Sequence, residues 1–249
     1  MTRVFTAVLL FSLQMAEAQS SAYVPNSNTE ASSLAQLSSQ LMPKLGKVRF
    51  HREEELEDRL RAHGLESSTL PHIFQVQAEP SDDEALTRTL PTMYVAVSRN
   101  GSAVYELAGS PDAERHFDEL VKDEIPTRIQ TSEAAESRGL LCAQVVYGTL
   151  PSWWTDGESS VQSKAAQHFF SEGHQDGLAL AAKWWKSAKG NHAELKLATV
   201  PKGDGFELSL PIFWAPVEGH SVPEVKLYRI EISRQGTCTM PASPSVVLR

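Results

Sequence analysis

The feature that most constrains the fold of this chain is an Asn100-Gly101 pair that separates two short apolar runs. A two-residue type I′ turn needs a positive φ at both central positions, and Asn-Gly is a sequence that adopts it readily. We therefore predict a β-hairpin with strands at 93–98 and 102–108. An antiparallel pair of strands is thus expected near the middle of the chain.

Signals for a helix follow the hairpin directly. Ser110 can cap a helix, Pro111 suits the first helical position, and the acids Asp112 and Glu114 favour the positive end of the helix dipole. The apolar residues of this segment recur at helical spacing: Ala113, Phe117, Leu120 and Val121. We expect this apolar stripe to pack across the hairpin.

The first 18 residues have the pattern of a signal peptide. Arg3 precedes an apolar segment, and Ala16 and Ala18 are the small residues that a signal peptidase reads. We expect cleavage before Gln19 and a mature chain that is periplasmic or secreted. The alternative is an apolar N-terminal helix that the protein keeps. Because a membrane-spanning helix takes roughly 20 apolar residues and no later stretch supplies them, we predict no membrane insertion of the mature chain.

Composition excludes several classes of protein. A chain of 249 residues with 41% hydrophobic and 22% charged residues is globular and forms one large domain or two ordinary ones. The formal net charge of -8 argues against nucleic acid or anionic membranes as the main partner.

The chain contains two cysteines, Cys142 and Cys238. In an oxidising compartment an isolated pair most simply forms a structural disulfide. The alternatives are a buried free Cys142 and a reactive thiol. Two cysteines cannot build a cysteine metal site, and His168 and His174 lack the spacing of a zinc helix. We therefore predict no metal and no cofactor.

Residues 1–18 would be followed by a mobile N-terminal arm at 19–46, although leucines at helical spacing also favour a short helix at 32–45. Beyond the arm, we predict a series of elements up to the hairpin and its helix: a strand at 47–50, a helix at 53–63, a strand at 72–77 and a short helix at 81–86.

That order of elements, with Pro91-Thr92 before the first hairpin strand and Gly109 before the last helix, resembles a thioredoxin-like domain at 47–126. The resemblance implies that Pro91 is a cis-proline beside the family's active site and makes it a candidate binding residue. The family's redox cysteines stand where residues 50–53 stand here, and this segment has no thiol. Since disulfide exchange requires a thiolate, the resemblance implies a redox-inactive domain. The alternative is an ordinary α/β sandwich.

A polar linker at 127–138 is expected to lead into a second domain at 139–249. There we predict an interior strand at 139–150, a helical region at 158–189 as one kinked helix or two, and three strands at 193–200, 206–214 and 224–233. We predict that the tail at 241–249 is irregular. The predicted fold class is therefore α+β: a thioredoxin-like α/β domain, then an α+β domain with an antiparallel sheet and a long helix.

Two pairs of adjacent tryptophans are the most unusual local feature: Trp153-Trp154 and Trp184-Trp185. Adjacent side chains cannot both face the same core, so we expect one of each pair near the surface. An exposed indole can stack on a sugar or anchor a protein partner. Covering a sheet edge or a domain interface is the structural alternative. Trp153 and Trp154 are therefore candidate binding residues.

No nucleophile-elbow or phosphate-loop motif occurs in the chain. These observations favour a non-catalytic exported component that binds a protein partner within an envelope or extracellular complex. The alternatives are a hydrolase acting on an envelope polymer near Trp153 and Trp154, and a carbohydrate-binding protein. The carbohydrate-binding alternative predicts a flat row of exposed aromatic rings.

Overall fold

Two antiparallel β-sheets and six α-helices form the part of the chain that the structure, a computed structural model, describes. The described residues are 25, 27–45, 47–61, 70–78, 93–125, 128–149, 151–215, 222–240 and 244–249. A mixed α and β structure with antiparallel sheets confirms the predicted fold class at this coarse level.

The first sheet contains four strands in chain order, and each neighbouring pair is antiparallel. The strands are β1 (Val48–Arg52), β2 (His72–Ala78), β3 (Met93–Val97) and β4 (Val104–Glu106). Helix α2 (Glu54–Arg61) follows β1, with acids in its first turn. The predicted strands at 47–50 and 72–77 and the predicted helix at 53–63 are confirmed apart from their ends.

The hairpin of β3 and β4 is confirmed, but its turn is longer than two residues. The Ser98 N–H donates to the Ala103 carbonyl at 2.9 Å, which leaves residues 99–102 in the loop. Gly101 adopts a φ of 73°, and its N–H donates to the Ser98 carbonyl at 2.7 Å. The Asn100 side-chain oxygen accepts the Ser102 N–H at 2.9 Å. The Asn-Gly pair therefore forms part of a four-residue loop.

Helix α1 (Asn28–Leu45) lies on one face of the first sheet. Three leucines of α1 are buried there: Leu34, Leu37 and Leu41. They pack against alternate residues of β2 and β3: Phe74, Val76, Met93, Val95 and Val97. The mobile arm predicted for 19–46 is therefore wrong from Asn28 onward, because the helically spaced leucines find an apolar sheet face. The helix also continues through Pro43.

The opposite face of the first sheet is covered by α3 (Ala113–Glu124) and α4 (Ser132–Val145). The buried residues of α3 are the four predicted ones: Ala113, Phe117, Leu120 and Val121. The helix begins later than predicted, since Asp112 occupies the cap position without a side-chain cap bond, and the Ser110 hydroxyl accepts only the Asp112 N–H at 3.3 Å.

Helix α4 corrects two predictions, the linker at 127–138 and the interior strand at 139–150. The Thr131 hydroxyl accepts the Ala134 N–H and begins a helix that runs to Val145. Ala135, Leu141 and Val145 belong to one apolar cluster that includes residues of both sheets. Because α4 is buried on several sides, it lacks the amphipathic period of a surface helix, and a short apolar run of this kind cannot be told from a buried strand.

A glycine allows α4 to approach the second sheet closely. A Cβ atom at Gly139 would lie 2.6 Å from a side-chain carbon of Leu208 and 3.0 Å from one of Ile232. Both distances are shorter than van der Waals contact. Gly139 therefore determines how closely the helix and the sheet pack.

The second sheet contains five strands: β5 (Ala198–Lys202), β6 (Gly205–Trp214), β7 (Glu224–Ile232), β8 (Cys238–Thr239) and β9 (Ser245–Leu248). The strands β5 to β8 are neighbours in chain order, and β9 pairs with β7. The predicted antiparallel meander is confirmed. Residues 192–195 form a 3-10 turn instead of the start of β5, and residues 245–248 form a strand instead of an irregular tail.

Two helices pack on the face of the second sheet opposite α4. They are α5 (Gly157–Ser171) and α6 (Gly177–Ser187), so the predicted helical region is divided in two. Gly173, with a φ of 86°, lies between them. Val161 and Trp184 contact the same apolar cluster as Phe213 and Leu227.

Three predictions lie wholly outside the described residues: the signal peptide at 1–18, the short helix at 81–86 and the cis-proline Pro91. The order of elements that resembles a thioredoxin-like domain is otherwise present along the chain. In space these strands form an antiparallel meander, whereas a helix between two strands usually makes them parallel. The resemblance stays a prediction. Across the described ranges, we find no helix long and apolar enough to cross a membrane.

Candidate functional site

The adjacent tryptophans Trp153 and Trp154 point to different environments, as predicted. Trp153 ends a 3-10 turn and is 39% exposed. Trp154 packs against the apolar cluster of the two sheets, and its indole N–H donates to the Thr149 hydroxyl at 3.1 Å. The guanidinium of Arg59 lies 5.4 Å from the centre of the Trp154 ring. Trp153 is therefore the member of the pair that a ligand can reach.

A third tryptophan, which the sequence analysis did not single out, completes an exposed aromatic surface. Trp214 is the last residue of β6 and is 42% exposed. Its ring lies edge to face with that of Trp153, with centroids 6.5 Å apart and planes at 83°. The Lys226 ammonium lies 4.4 Å from the centre of the Trp214 ring, within the range of a cation–π contact. We call Trp153, Trp214 and Lys226 the tryptophan patch.

Backbone pairing brings the two rings together. Trp154 forms an isolated β-bridge with Ile212, and the Thr155 N–H donates to the Pro211 carbonyl at 2.9 Å. The Thr155 hydroxyl donates to the same carbonyl at 3.2 Å. The segment after Trp153 is therefore attached to β6 a few residues before Trp214.

Several charged groups border the tryptophan patch. The Glu224 carboxylate lies 3.8 Å from the Lys226 ammonium and accepts a hydrogen bond from Arg249 Nε at 2.6 Å. The Lys164 ammonium donates to the carbonyl of Ser152, the residue before Trp153. Burial lowers the pKa of Lys164 from its ordinary value. The patch therefore combines apolar rings with a mostly basic border.

The two cysteines are joined. Cys142 in α4 and Cys238 in β8 form a disulfide with a Cα–Cα distance of 6.6 Å. Both lie in the apolar cluster shared by the two sheets. The disulfide therefore links the helix α4 to the second sheet.

The histidines singled out in the sequence do not form a metal centre in the part of the chain that the structure covers. His168 and His174 both approach Glu172, with nitrogen–oxygen distances of 3.4 and 3.9 Å. His174 follows α5 instead of lying in it. No group of three or more His, Cys, Asp or Glu residues within the described ranges could hold a metal ion.

A buried polar chain that sequence reasoning missed connects α1 to the first sheet. The Glu30 carboxylate lies 2.6 Å from His72 Nδ1, and Arg99 Nη1 contacts His72 Nε2. Because a guanidinium can only donate, Arg99 is the donor in its contact with His72. Glu30 and His72 are buried. This arrangement holds the first turn of α1 against β2, which is a positioning role.

Comparisons with protein-family models, with curated proteins and with solved structures find no match for this chain. A function for the chain is therefore inferred from the geometry of its own residues.

Proposed function

We propose that this protein is a non-catalytic exported component that binds a protein partner through the tryptophan patch. The observation that supports the proposal is the exposed edge-to-face pair of Trp153 and Trp214. Tryptophans are enriched among the few residues that carry most of the binding energy at protein interfaces. Two of them side by side at the surface offer a large apolar area that a partner can bury.

The ring geometry favours a protein over a glycan. A row of sugars stacks best on rings that lie in nearly one plane, whereas these two planes cross at 83°. One side of the Trp214 ring also faces the Lys226 ammonium. An interlocking side chain of a protein fits such a corner better than a flat sugar ring does.

The border of the patch also favours binding over hydrolysis. A hydrolase acting on an envelope polymer would need two converging carboxylates or a Ser/His pair. Glu224 is a bordering carboxylate, and it is engaged by Arg249 and Lys226.

The disulfide of Cys142 and Cys238 supports export, since disulfides are rare in reducing compartments. The proposal does not depend on the thioredoxin-like resemblance of residues 47–126, which we retain as the hypothesis of a redox-inactive domain.

Photocrosslinking tests the proposal directly. Trp153 is replaced by the photoreactive residue p-benzoylphenylalanine, whose aromatic rings keep an apolar surface at this position. The exported chain is irradiated in cells that naturally express it. Leu178, an exposed apolar residue of α6, receives the same replacement as the matched control. We expect a discrete protein adduct from position 153 that is lost in the Trp214→Ala background.

Equal adducts from positions 153 and 178, or no adduct from position 153, would contradict the proposed function. Circular dichroism of each variant establishes that it is folded before the crosslinking is compared.

A further inference from the structure

The charges around the tryptophan patch differ in sign from those of the chain as a whole. The full chain carries a formal net charge of -8. Lys226 lies over the ring of Trp214, Lys164 contacts the residue before Trp153, and Arg249 reaches Glu224 at the start of β7. Three bases therefore surround two exposed tryptophans on a protein that is otherwise acidic.

The acids near the patch are engaged. Glu224 pairs with Trp214 across β6 and β7, and its carboxylate contacts both Arg249 and Lys226. Asp156 accepts the backbone N–H of Leu197 at 3.2 Å. Arg249 keeps 71% of its side-chain surface exposed. Bases at the border therefore have donors left for a partner, since an ammonium has three and a guanidinium has five.

The apolar surface extends beyond the two rings along the same sheet. Val246 in β9 lies directly opposite Lys226 in the register of β7 and β9 and is exposed. Residues directly opposite each other on paired strands share a face of the sheet. A ligand that covers Trp214 and Lys226 can therefore continue onto Val246.

We infer that the tryptophan patch binds an acidic segment of a partner protein, one that carries an apolar or aromatic anchor residue between its carboxylates. This inference rests on the proposed function and adds the chemistry of the partner. The anchor fills the corner between Trp153 and Trp214, and the flanking carboxylates pair with Lys226, Lys164 and Arg249. Complementary charge of this kind sets specificity and the rate of association more than it sets affinity.

Three labelled peptides of equal length test the inference. Each contains one Phe and one Leu, and the remaining positions are Glu and Asp in the first, Gln and Ser in the second, and Lys in the third. Fluorescence anisotropy measures their binding to the mature chain. We expect the acidic peptide to bind about tenfold tighter than the neutral one at low salt, and this advantage to shrink as salt screens the charges.

Variants identify the surface that binds. Trp153→Ala should abolish binding of the acidic peptide, and Lys226→Glu should weaken it about three- to fivefold, the range of an exposed charge pair. Lys183→Glu on α6 is the matched charge reversal, and Leu178→Ala is the matched loss of an exposed apolar side chain. Both controls should bind as the unmodified chain does.

Each other outcome overturns the inference. Equal binding of acidic and neutral peptides would show that charge does not select the partner, while the crosslink at position 153 could still support the proposed function. Failure of all three peptides would overturn it as well. Displacement of the acidic peptide by polygalacturonate or by phosphatidylglycerol vesicles, at equal charge concentration, would assign the patch to an acidic polymer or a lipid surface instead.

Discussion

Replacing Arg138 by Met should leave the protein at least as stable as it is, although Arg138 lies at its centre. The Arg138 side chain is 0% exposed and projects from α4. Its Nη1 donates to the Gly236 carbonyl at 3.4 Å, near the upper limit for a hydrogen bond. In the described part of the chain, Nε and Nη2 have no hydrogen-bond partner. A buried cation with one weak contact is an unfavourable arrangement.

The size of the effect follows from that burial. Burial lowers the pKa of Arg138 to about 10, and the difference from a free guanidinium corresponds to about 3 kcal/mol against the charged form. Met has a similar unbranched shape and removes the charge together with the unpaired donors. The substitution leaves the Gly236 carbonyl without its donor, at about 1 kcal/mol, and the shorter side chain loses about 1 kcal/mol of packing. We therefore expect a net gain of about 1 kcal/mol for Arg138→Met.

Guanidinium-induced unfolding, followed by tryptophan fluorescence, measures this difference. The midpoint should rise while the slope of unfolding free energy with denaturant stays constant. Arg138→Lys is the control, because it keeps a buried charge on a shorter side chain, and it should be destabilised by about 1 kcal/mol or more. The opposite result would refute the reasoning. If Arg138→Met lowered the free energy of unfolding by about 2 kcal/mol or more while Arg138→Lys left it unchanged, the buried charge would be stabilised in the fold.

The remaining predictions concern the loop, the disulfide and redox activity. Gly101→Ala should destabilise the protein by more than about 1 kcal/mol and speed hydrogen exchange in α1, because φ is 73° and the new Cβ would lie 2.5 Å from the backbone nitrogen of Glu30. Gly203→Ala is the control, since Gly203 has a φ of 57° but no neighbour within 4 Å of the new Cβ. The control isolates the backbone strain and should destabilise the protein less. Replacing Cys142 and Cys238 together by Ala should lower the unfolding free energy by up to about 5 kcal/mol in denaturant titrations, since the disulfide spans 96 residues. An unchanged unfolding midpoint would contradict this stabilising role of the disulfide. The oxidised protein should not reduce insulin in a turbidity assay, because both of its sulfur atoms are buried and bonded, and appreciable reduction would contradict a redox-inactive chain.

Elements with a surface face could be predicted from the sequence. The helix α3 and the strand β7 have exposed residues between their buried ones, and a glycine signal accompanies the division of the second helical region. Helix α1 showed the helical spacing of its leucines, but the sequence could not show that a sheet face covers them. Docking depends on residues such as His72, which is 42 positions from Glu30. Local periodicity contains no information of that range.

Helix α4 shows a second reason why sequence-based prediction fails, namely burial on several sides. Its polar first half has the composition of a linker and its apolar second half has that of a strand, yet the two halves form one helix between the sheets. An element that is buried on several sides loses the period that distinguishes helix from strand. The Thr131 cap was the local signal that could have shown a helix start. This signal is weak in the sequence, because the residues around Thr131 are rich in serine and glutamate and resemble a linker.

In the candidate site, one tryptophan could be predicted from local sequence and the other could not. Exposure of one of Trp153 and Trp154 followed from a local argument, since two adjacent side chains cannot share one core, but only the structure shows that it is Trp153. Trp214 could not be assigned in the same way, because β5 pairs with β6 only as far as Ser209 and the segment after Trp153 occupies the edge beyond it. That edge pairing places two tryptophans 61 positions apart in contact, and it also positions Lys226 on the next strand. The surface that we propose for binding is therefore a product of sheet register, and a change that shifted the register of β6 would remove it without altering any of its three residues.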